Sequence, residues 1–397
     1  MTIAIIGAGA AGCFCAINLK RMMPDADIHI FESKGKALAK VAVTGGGRCN
    51  LTNTFRQVSN LQEVYPRGGK LMRRALSVFS AEDTCRWFEQ EGVKLVAQED
   101  ECIFPQSQDA MQIVNTLLYN IKKHHIQLHL NEKVTQLYLN TWDRVVVTTG
   151  GHATHAGFSM LEGLDIPIEN PVPSLFTFNV QGDWHQQLMG TVVEDVQAFI
   201  PGTKFRSQGP LLLTHWGMSG PAILRLSSYA ARYLAEHNYQ SALCINWMGR
   251  MTEQEVRDML QDMMQLHAQK LITSAYPQQF TARHWTVLLG RMGIPVTQRW
   301  GALNTRNINK MLSVLTADSY QITGKGPFKE EFVTCCGVSL KAININTLQS
   351  KQHPTLYFAG EVLDVDAVTG GFNLQAAWSM GYVVAEHIFT SNQRTDQ

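Results

Sequence analysis

Four apolar residues in succession, Ile3–Ile6, stand close to the start of the chain. An unbroken run of that length predicts a strand covered on both faces, as in a parallel sheet. A glycine-rich turn comes next. A stretch of small residues through about Lys20 then reads as a helix, and Ile28–Phe31 as a second strand. Together they predict a βαβ unit. Ser80 with Asp83 has the pattern of a helix N-cap ahead of Trp87 and Phe88. Ala110, Ile113, Val114, Leu117, Leu118 and Ile121 recur at helical spacing, whereas Ile126, Leu128 and Leu130 alternate with Gln127 and His129 as a strand does. A β-branched run at Val145–Thr148 closes on Gly150-Gly151. Strand and helix thus alternate over roughly the first 150 residues, the pattern of an α/β domain.

The pattern changes after a proline-bearing break at Asn170–Pro173. Ser174–Val180, Thr191–Phe199 and Ala242–Trp247 read as strands without a glycine-rich βα turn. Glu253–Leu271 reads as a helix with Val256, Met259, Leu260 and Met263 on one face, a stripe suited to core packing. Arg306–Leu315 reads as a shorter helix. The α/β character returns with an apolar strand, Leu356–Ala359, and a closing helix, Gln375–Phe389. The expected organisation is one α/β domain split in sequence, 1–171 and 327–397. Between its halves lies an inserted domain, 172–326, β-rich over 172–250 and helical over 251–326.

The 397 residues, 45% hydrophobic and 17% charged, suffice for two or three domains with a sizeable core. A net charge of +1 argues against a global attraction to nucleic acid or to an anionic membrane. No pair among the eight cysteines has CxxC spacing, and no metal site is expected. The adjacent Cys335 and Cys336 read as two core thiols rather than a strained vicinal disulfide. No apolar run has the length of a membrane span, and the first residues lack the basic region of a signal peptide. The expectation is a cytoplasmic protein acting on a small-molecule substrate, without nucleic-acid or membrane partners, its oligomeric state left open.

Candidate chemistry lies in four motifs. Gly7-Ala8-Gly9-Ala10-Ala11-Gly12 sits between strand and helix, and Glu32, with Ser33 beside it, follows Gly12 by 20 residues. Gly7 permits a tight turn, Gly9 lets backbone approach a pyrophosphate, and Gly12 allows close helix–strand packing. An acid at position 32 accepts the hydroxyls of an adenosine ribose. The second motif runs Thr44-Gly45-Gly46-Gly47-Arg48-Cys49-Asn50 and on to Asn53. Three glycines forfeit backbone entropy, which a close approach to a flat or phosphorylated ligand explains. Arg48 faces an anionic group or is solvated. The third is the strand running into Gly150-Gly151. The fourth is Gly360-Glu361, continuing through Asp366 to Gly370-Gly371-Phe372-Asn373-Leu374-Gln375. Backbone N–H groups at that helix start suit negative charge on a bound ligand, such as the reduced ring of a redox cofactor. Asp366 reads equally as a solvated loop carboxylate or a ligand contact.

At these motifs the chain resembles a bacterial flavoprotein family, the BaiN-like or aminoacetone-oxidase-like NAD(P)/FAD-dependent oxidoreductases. The match is carried by TGGGRCNLTN at 44–53, Thr214-His215-Trp216-Gly217-Met218-Ser219-Gly220-Pro221, and GGFNLQAAWSMG at 370–381. The resemblance covers essentially the whole chain. It implies an α/β fold with a Rossmann-type FAD-binding domain, discontinuous in sequence, interrupted by a β-rich subdomain and a small helical one. It also implies that residues at 7–12, 32, 44–50, 150, 360–361 and 370–375 surround FAD, and that the backbone of Val134 meets the adenine. Two departures stand out: Cys335-Cys336 where the family pattern is Thr-x-Gly-Gly-Val, and Ala367 where a glycine is usual.

The leading functional reading is an FAD-dependent oxidoreductase that uses NAD(P)H, docked transiently, to reduce a conjugated C=C bond in a small or steroid-like molecule. Hydride would pass through flavin N5. One alternative is a flavin oxidase taking electrons from a small amine or aminoketone and passing them to O₂. Another is an FAD-bound sensor or binding protein without turnover. The catalytic residue is not assigned. His215 is the one candidate proton donor, weighed against a structural hydrogen-bonding role.

Overall fold

A computed structural model describes residues 1–182, 185–326 and 333–395. The expected return to the first domain at residue 327 lies outside the described residues. The chain divides into two compact units, Met1–Val172 with Val333–Gln397, and Pro173–Phe332.

The first unit is built on a five-stranded parallel sheet. Strand β1, Thr2–Ile6, pairs on one side with β2, Asp27–Glu32, and on the other with Arg144–Val147. Gln127–Leu130 extends the sheet beyond β2, and Leu356–Phe358 beyond Arg144–Val147. Ile3, Ile5, Ile28 and Ile30 are buried, as central parallel strands require. Helix α1, Ala10–Met22, is buried from Ala11 through Leu19 because small residues let it be covered on more than one side. The closing helix Phe372–Thr395 crosses α1 at Gly381, where an added β-carbon would lie 2.8 Å from the Ala11 carbonyl oxygen. Ser80 and Asp83 form a reciprocal capping box on helix Ala81–Gln90, as the pattern predicts.

Two local expectations are corrected. Residues 170–173 are no break: they belong to a strand, Ile168–Ser174, in a two-stranded ladder with Val333–Val338. A proline is tolerated in an edge strand, so this one can carry two. The closing helix begins at Phe372, three residues before Gln375, because the glycine pair ahead of it completes its turn at Gly371.

The second unit holds a closed antiparallel barrel. Its strands run Val192–Phe199, Arg206–Leu213, Gly217–Ser219, Phe178–Val180, Asp318–Lys325 and Ser241–Asn246, and the last pairs back to the first. Closure removes every open edge. Phe178, Val196, Leu211, Met218, Leu243 and Ile322 are buried in its core. The span read as helical, 251–326, does supply helices Glu253–Leu266, Ala282–Met292 and Thr305–Ala317, but it ends in the strand Asp318–Lys325, which completes the barrel. Among the described residues no helix is long and apolar enough to cross a membrane.

Candidate functional site

Neighbouring strand ends set the geometry of the site. Gly7 N–H donates to Phe31 O at 2.8 Å and Thr148 N–H to Ile6 O at 2.8 Å, so the sheet pairing carries into the glycine turn. Thr148 Oγ1 donates to Gly7 O at 2.9 Å. Gly7 has φ +109, and a β-carbon there would sit 2.5 Å from Thr148 O; one on Gly12 would sit 2.1 Å from Gly7 O. Both glycines are demanded by packing.

Gly9 is different. Its φ is −86, which any residue adopts, and no protein atom lies within 4 Å of an added β-carbon. It is the N-cap of α1, no side chain caps it, and the first helical turn carries no acid. The leading N–H groups of α1, at Ala10 and Ala11, therefore lack a side-chain acceptor, and the space beside Gly9 is open, which fits the phosphates of a dinucleotide.

Glu32 is held over this turn. Its Oε2 accepts from Ala8 N–H at 3.0 Å, and its Oε1 from Lys34 N–H at 2.9 Å and Ser33 Oγ at 3.2 Å. A carboxylate has about four acceptor positions, which leaves capacity for a sugar hydroxyl. Glu132 N–H donates to Glu32 O at 2.9 Å, and this brings Val134 alongside. Val134 lines a cavity of about 300 Å³ with Ala4, Ile6, Phe31, Trp142 and Val145.

The second motif joins the first through Leu38, whose N–H donates to Ala8 O at 2.8 Å. Helix Ala39–Gly47 is interrupted from Thr44, and Gly45, Gly46 and Gly47 all have left-handed φ. Nothing lies within 4 Å of a β-carbon on Gly46 or Gly47. Thr44 Oγ1 donates to Val41 O at 2.9 Å. Arg48 is exposed, bonded to Gly45 O at 3.1 Å and resting on the Phe104 ring. Cys49 is fully buried, and burial pushes its thiol up to about 12, so it stays protonated. Asn50, its amide turned to satisfy both groups, donates to Thr52 O at 3.0 Å and accepts from Gly371 N–H at 3.1 Å.

That last contact brings in the fourth motif. A β-carbon on Gly371 would lie 2.3 Å from Thr52 O, so this close crossing requires glycine. Asn53 Nδ2 donates to Gly370 O at 3.1 Å. Phe372 is buried against Phe55 and Tyr65. The Asn373 amide spends itself on the N–H and C=O of Ala367, both at 2.9 Å. Gln375 is fully buried between Thr52 and Ser379. At this helix start the protein offers a ligand backbone rather than these side chains.

Gly360 reaches the first motif, an added β-carbon lying 3.0 Å from Ala11 Cβ. Gly150 faces Glu361, whose Oε1 accepts from Thr334 N–H at 2.8 Å and whose Oε2 meets Lys40 Nζ at 3.1 Å. His152 bonds Thr149 Oγ1 at 3.1 Å; burial, then nearby Lys40, lowers its pKa below the ordinary histidine value. Lys40 is a site neighbour that sequence reasoning missed, and Thr148 is one it read only as part of the strand that runs into Gly150-Gly151. Lys40 meets its partner across 321 positions and gives no local signal, whereas Thr148 ends the β-branched run Val145–Thr148. Asp366 is no solvated loop carboxylate: it is buried and ion-paired with Arg67.

All predicted cofactor residues thus belong to the first unit. His215 belongs to the second, exposed at the tip of a turn closed by Thr214 and Gly217, its ring edge-on to Trp216. Among the described residues its ring makes no hydrogen bond.

A parallel sheet with a glycine turn, an uncapped helix start and an acid ending the second strand defines a Rossmann-type dinucleotide-binding protein. The chain belongs to the family described as HI0933-like protein Rossmann domain, whose model matches residues 1–387. It is 24% identical to a 3-dehydro-bile acid delta(4,6)-reductase of Clostridium scindens, covering 96% of this chain and 97% of that protein. It is 27% identical to a ribosomal RNA dihydrouridine synthase of Haemophilus influenzae, covering 96% of each. The corresponding synthase of Escherichia coli is 26% identical, over 98% of each chain. The protein is an FAD-dependent oxidoreductase.

Proposed function

We propose that the protein reduces a carbon–carbon double bond conjugated to a carbonyl, with NAD(P)H as electron source. One observation carries this reading: relatives 24% and 27% identical over nearly the whole chain bear names for different substrates but one chemistry. Saturating one double bond of a Δ4,6 3-oxo steroid and turning uridine into dihydrouridine both add two electrons and two protons across a C=C bond conjugated to C=O.

FAD, when bound, supplies hydride from its ring N5 to the acceptor carbon. The chain's own groups do the rest. The first-turn N–H groups of α1 take the pyrophosphate, Glu32 takes the ribose, and the backbone of Val134 borders the adenine. Thr44 to Asn50 and Gly370 to Gln375 would border the ring, with Gly150, Gly360 and Glu361 completing the lining. The helix opening at Phe372, with no acid in its first turn, favours negative charge on the ring system. No side chain is committed as the proton donor, and His215 is the residue to test.

The acceptor is proposed to be a small or steroid-like enone. A uracil in RNA is the second reading, favoured by the names of two relatives. Reoxidation of the nicotinamide-reduced enzyme, without oxygen, by a 4-en-3-one steroid or by an unmodified ribosomal RNA fragment separates the two, with the saturated product identified by mass. If neither acceptor reoxidises the enzyme while an amine yields hydrogen peroxide in air, the oxidase reading replaces this one.

A further inference from the structure

Cys335 and Cys336 are neighbours in strand Val333–Val338, yet their sulfurs lie only 3.3 Å apart. Consecutive residues of a regular strand point to opposite faces. Here Cys336 has φ +80, a left-handed value that a β-carbon disfavours, and its side chain swings to the side of Cys335. Backbone bonds hold a third donor in place: Val338 N–H donates to Val362 O at 2.9 Å and Asp364 N–H to Val338 O at 3.0 Å. A ligand atom from each of Cys335, Cys336 and Asp364 lies within 4.8 Å of the other two. Both cysteines are buried and neither is in a disulfide. Cysteine counting misses this cluster because adjacent cysteines lack the spacing of a metal motif, and the carboxylate comes from a separate segment.

We propose that Cys335, Cys336 and Asp364 form a binding site for one thiophilic divalent cation of the zinc group. Two sulfurs and one oxygen select such an ion over magnesium or calcium, which take oxygen donors. The cation enters as the two thiols release their protons, so two thiolates and a carboxylate surround it, and no redox change occurs. Zinc–sulfur bonds of about 2.3 Å in a tetrahedron place sulfurs about 3.8 Å apart, so the pair opens by about 0.5 Å, within reach of side-chain rotation. Three protein donors leave a fourth position for water or another ligand. The bound ion clips strand Val333–Val338 to the segment that follows Glu361.

The test uses flavin-loaded protein, treated with a phosphine reductant, stripped by chelator and titrated anaerobically with Cd²⁺ and, separately, Zn²⁺. The expected result is one equivalent per chain with an ultraviolet thiolate-to-cadmium absorption band. Cys335→Ser and Cys336→Ser are each expected to weaken binding at least about a hundredfold, and Cys85→Ser to leave it unchanged. X-ray absorption of the zinc-loaded natural protein is expected to show two sulfur neighbours, and it does not depend on the variants folding. Absence of binding by flavin-loaded protein, binding that survives both substitutions, or a zinc environment without sulfur overturns the proposal.

Discussion

Arg67 and Asp366, 299 positions apart, meet as a two-pronged ion pair, with Asp366 fully buried and Arg67 nearly so. Their backbones form an antiparallel bridge as well. The pair ties the chain just before helix Gly69–Val78 to the turn that leads into the closing helix. Arg67→Ala strands a buried carboxylate, and the expected loss of stability is about 3–5 kcal/mol. Replacing both residues with apolar ones, Arg67→Met with Asp366→Leu, is expected to cost much less, because no charge is left behind. Urea unfolding of the flavin-free forms checks both, and equal losses in the two variants would deny that the unpaired charge is the cause.

The three glycines of the first motif separate folding from cofactor binding. Gly7→Ala puts a β-carbon 2.5 Å from Thr148 O at φ +109, and is expected to destabilise by about 2 kcal/mol or more. Gly9→Ala meets no protein atom within 4 Å and is expected to lose at most about 1 kcal/mol while FAD binding falls at least about tenfold. Thermal unfolding without flavin, paired with FAD titration, reads the two effects. An unchanged FAD affinity in Gly9→Ala would remove the phosphates from that place.

Glu32→Gln keeps the shape and loses an acceptor. The amide nitrogen donates and cannot accept from the Ala8 or Lys34 N–H, and the one remaining oxygen cannot serve both of them and a ribose hydroxyl. FAD affinity is expected to fall by about 1.5–3 kcal/mol, about ten- to a hundredfold. Reconstitution of the flavin-free variant, followed calorimetrically, measures it.

His284 gives the second unit a pH dependence. It is 1% exposed, packed edge-on against Trp247 and Phe280, and neither ring nitrogen has a partner among the described residues. Burial lowers its pKa from 6.5 to about 4. Between those values the unfolded chain holds a proton that the folded one refuses, so stability falls as pH drops through that window and is level above it. The expected loss is about 3 kcal/mol by pH 4, and His284→Leu is expected to flatten the curve. Unfolding at several pH values with both proteins tests this, and identical slopes would acquit the histidine.

What was legible in the sequence is what local pattern records. The strand, glycines, helix, strand and acid of the first βαβ unit stand within 32 residues, and each is where spacing places it. The strand Asp318–Lys325 went unread although its burial alternates, because its first buried residue is an aspartate. That carboxylate is satisfied by Arg291, Trp247 and Tyr320, partners that spacing cannot announce. Asp366 is a similar case, since only the folded chain supplies Arg67. The resemblance implies that Asn373 and Gln375 lie beside the cofactor, and only the folded chain shows their amides bonded to Ala367, Thr52 and Ser379.

The most direct test of an FAD enzyme fed by a nicotinamide is an anaerobic titration of the purified protein with NADPH and then NADH, followed by visible flavin absorbance. The expected result is a yellow protein whose flavin bleaches with one of the two, and recovers its colour when an enone is added without oxygen. A yellow protein that neither nucleotide bleaches contradicts the proposed reaction, and a colourless protein that cannot take up FAD contradicts the cofactor site itself.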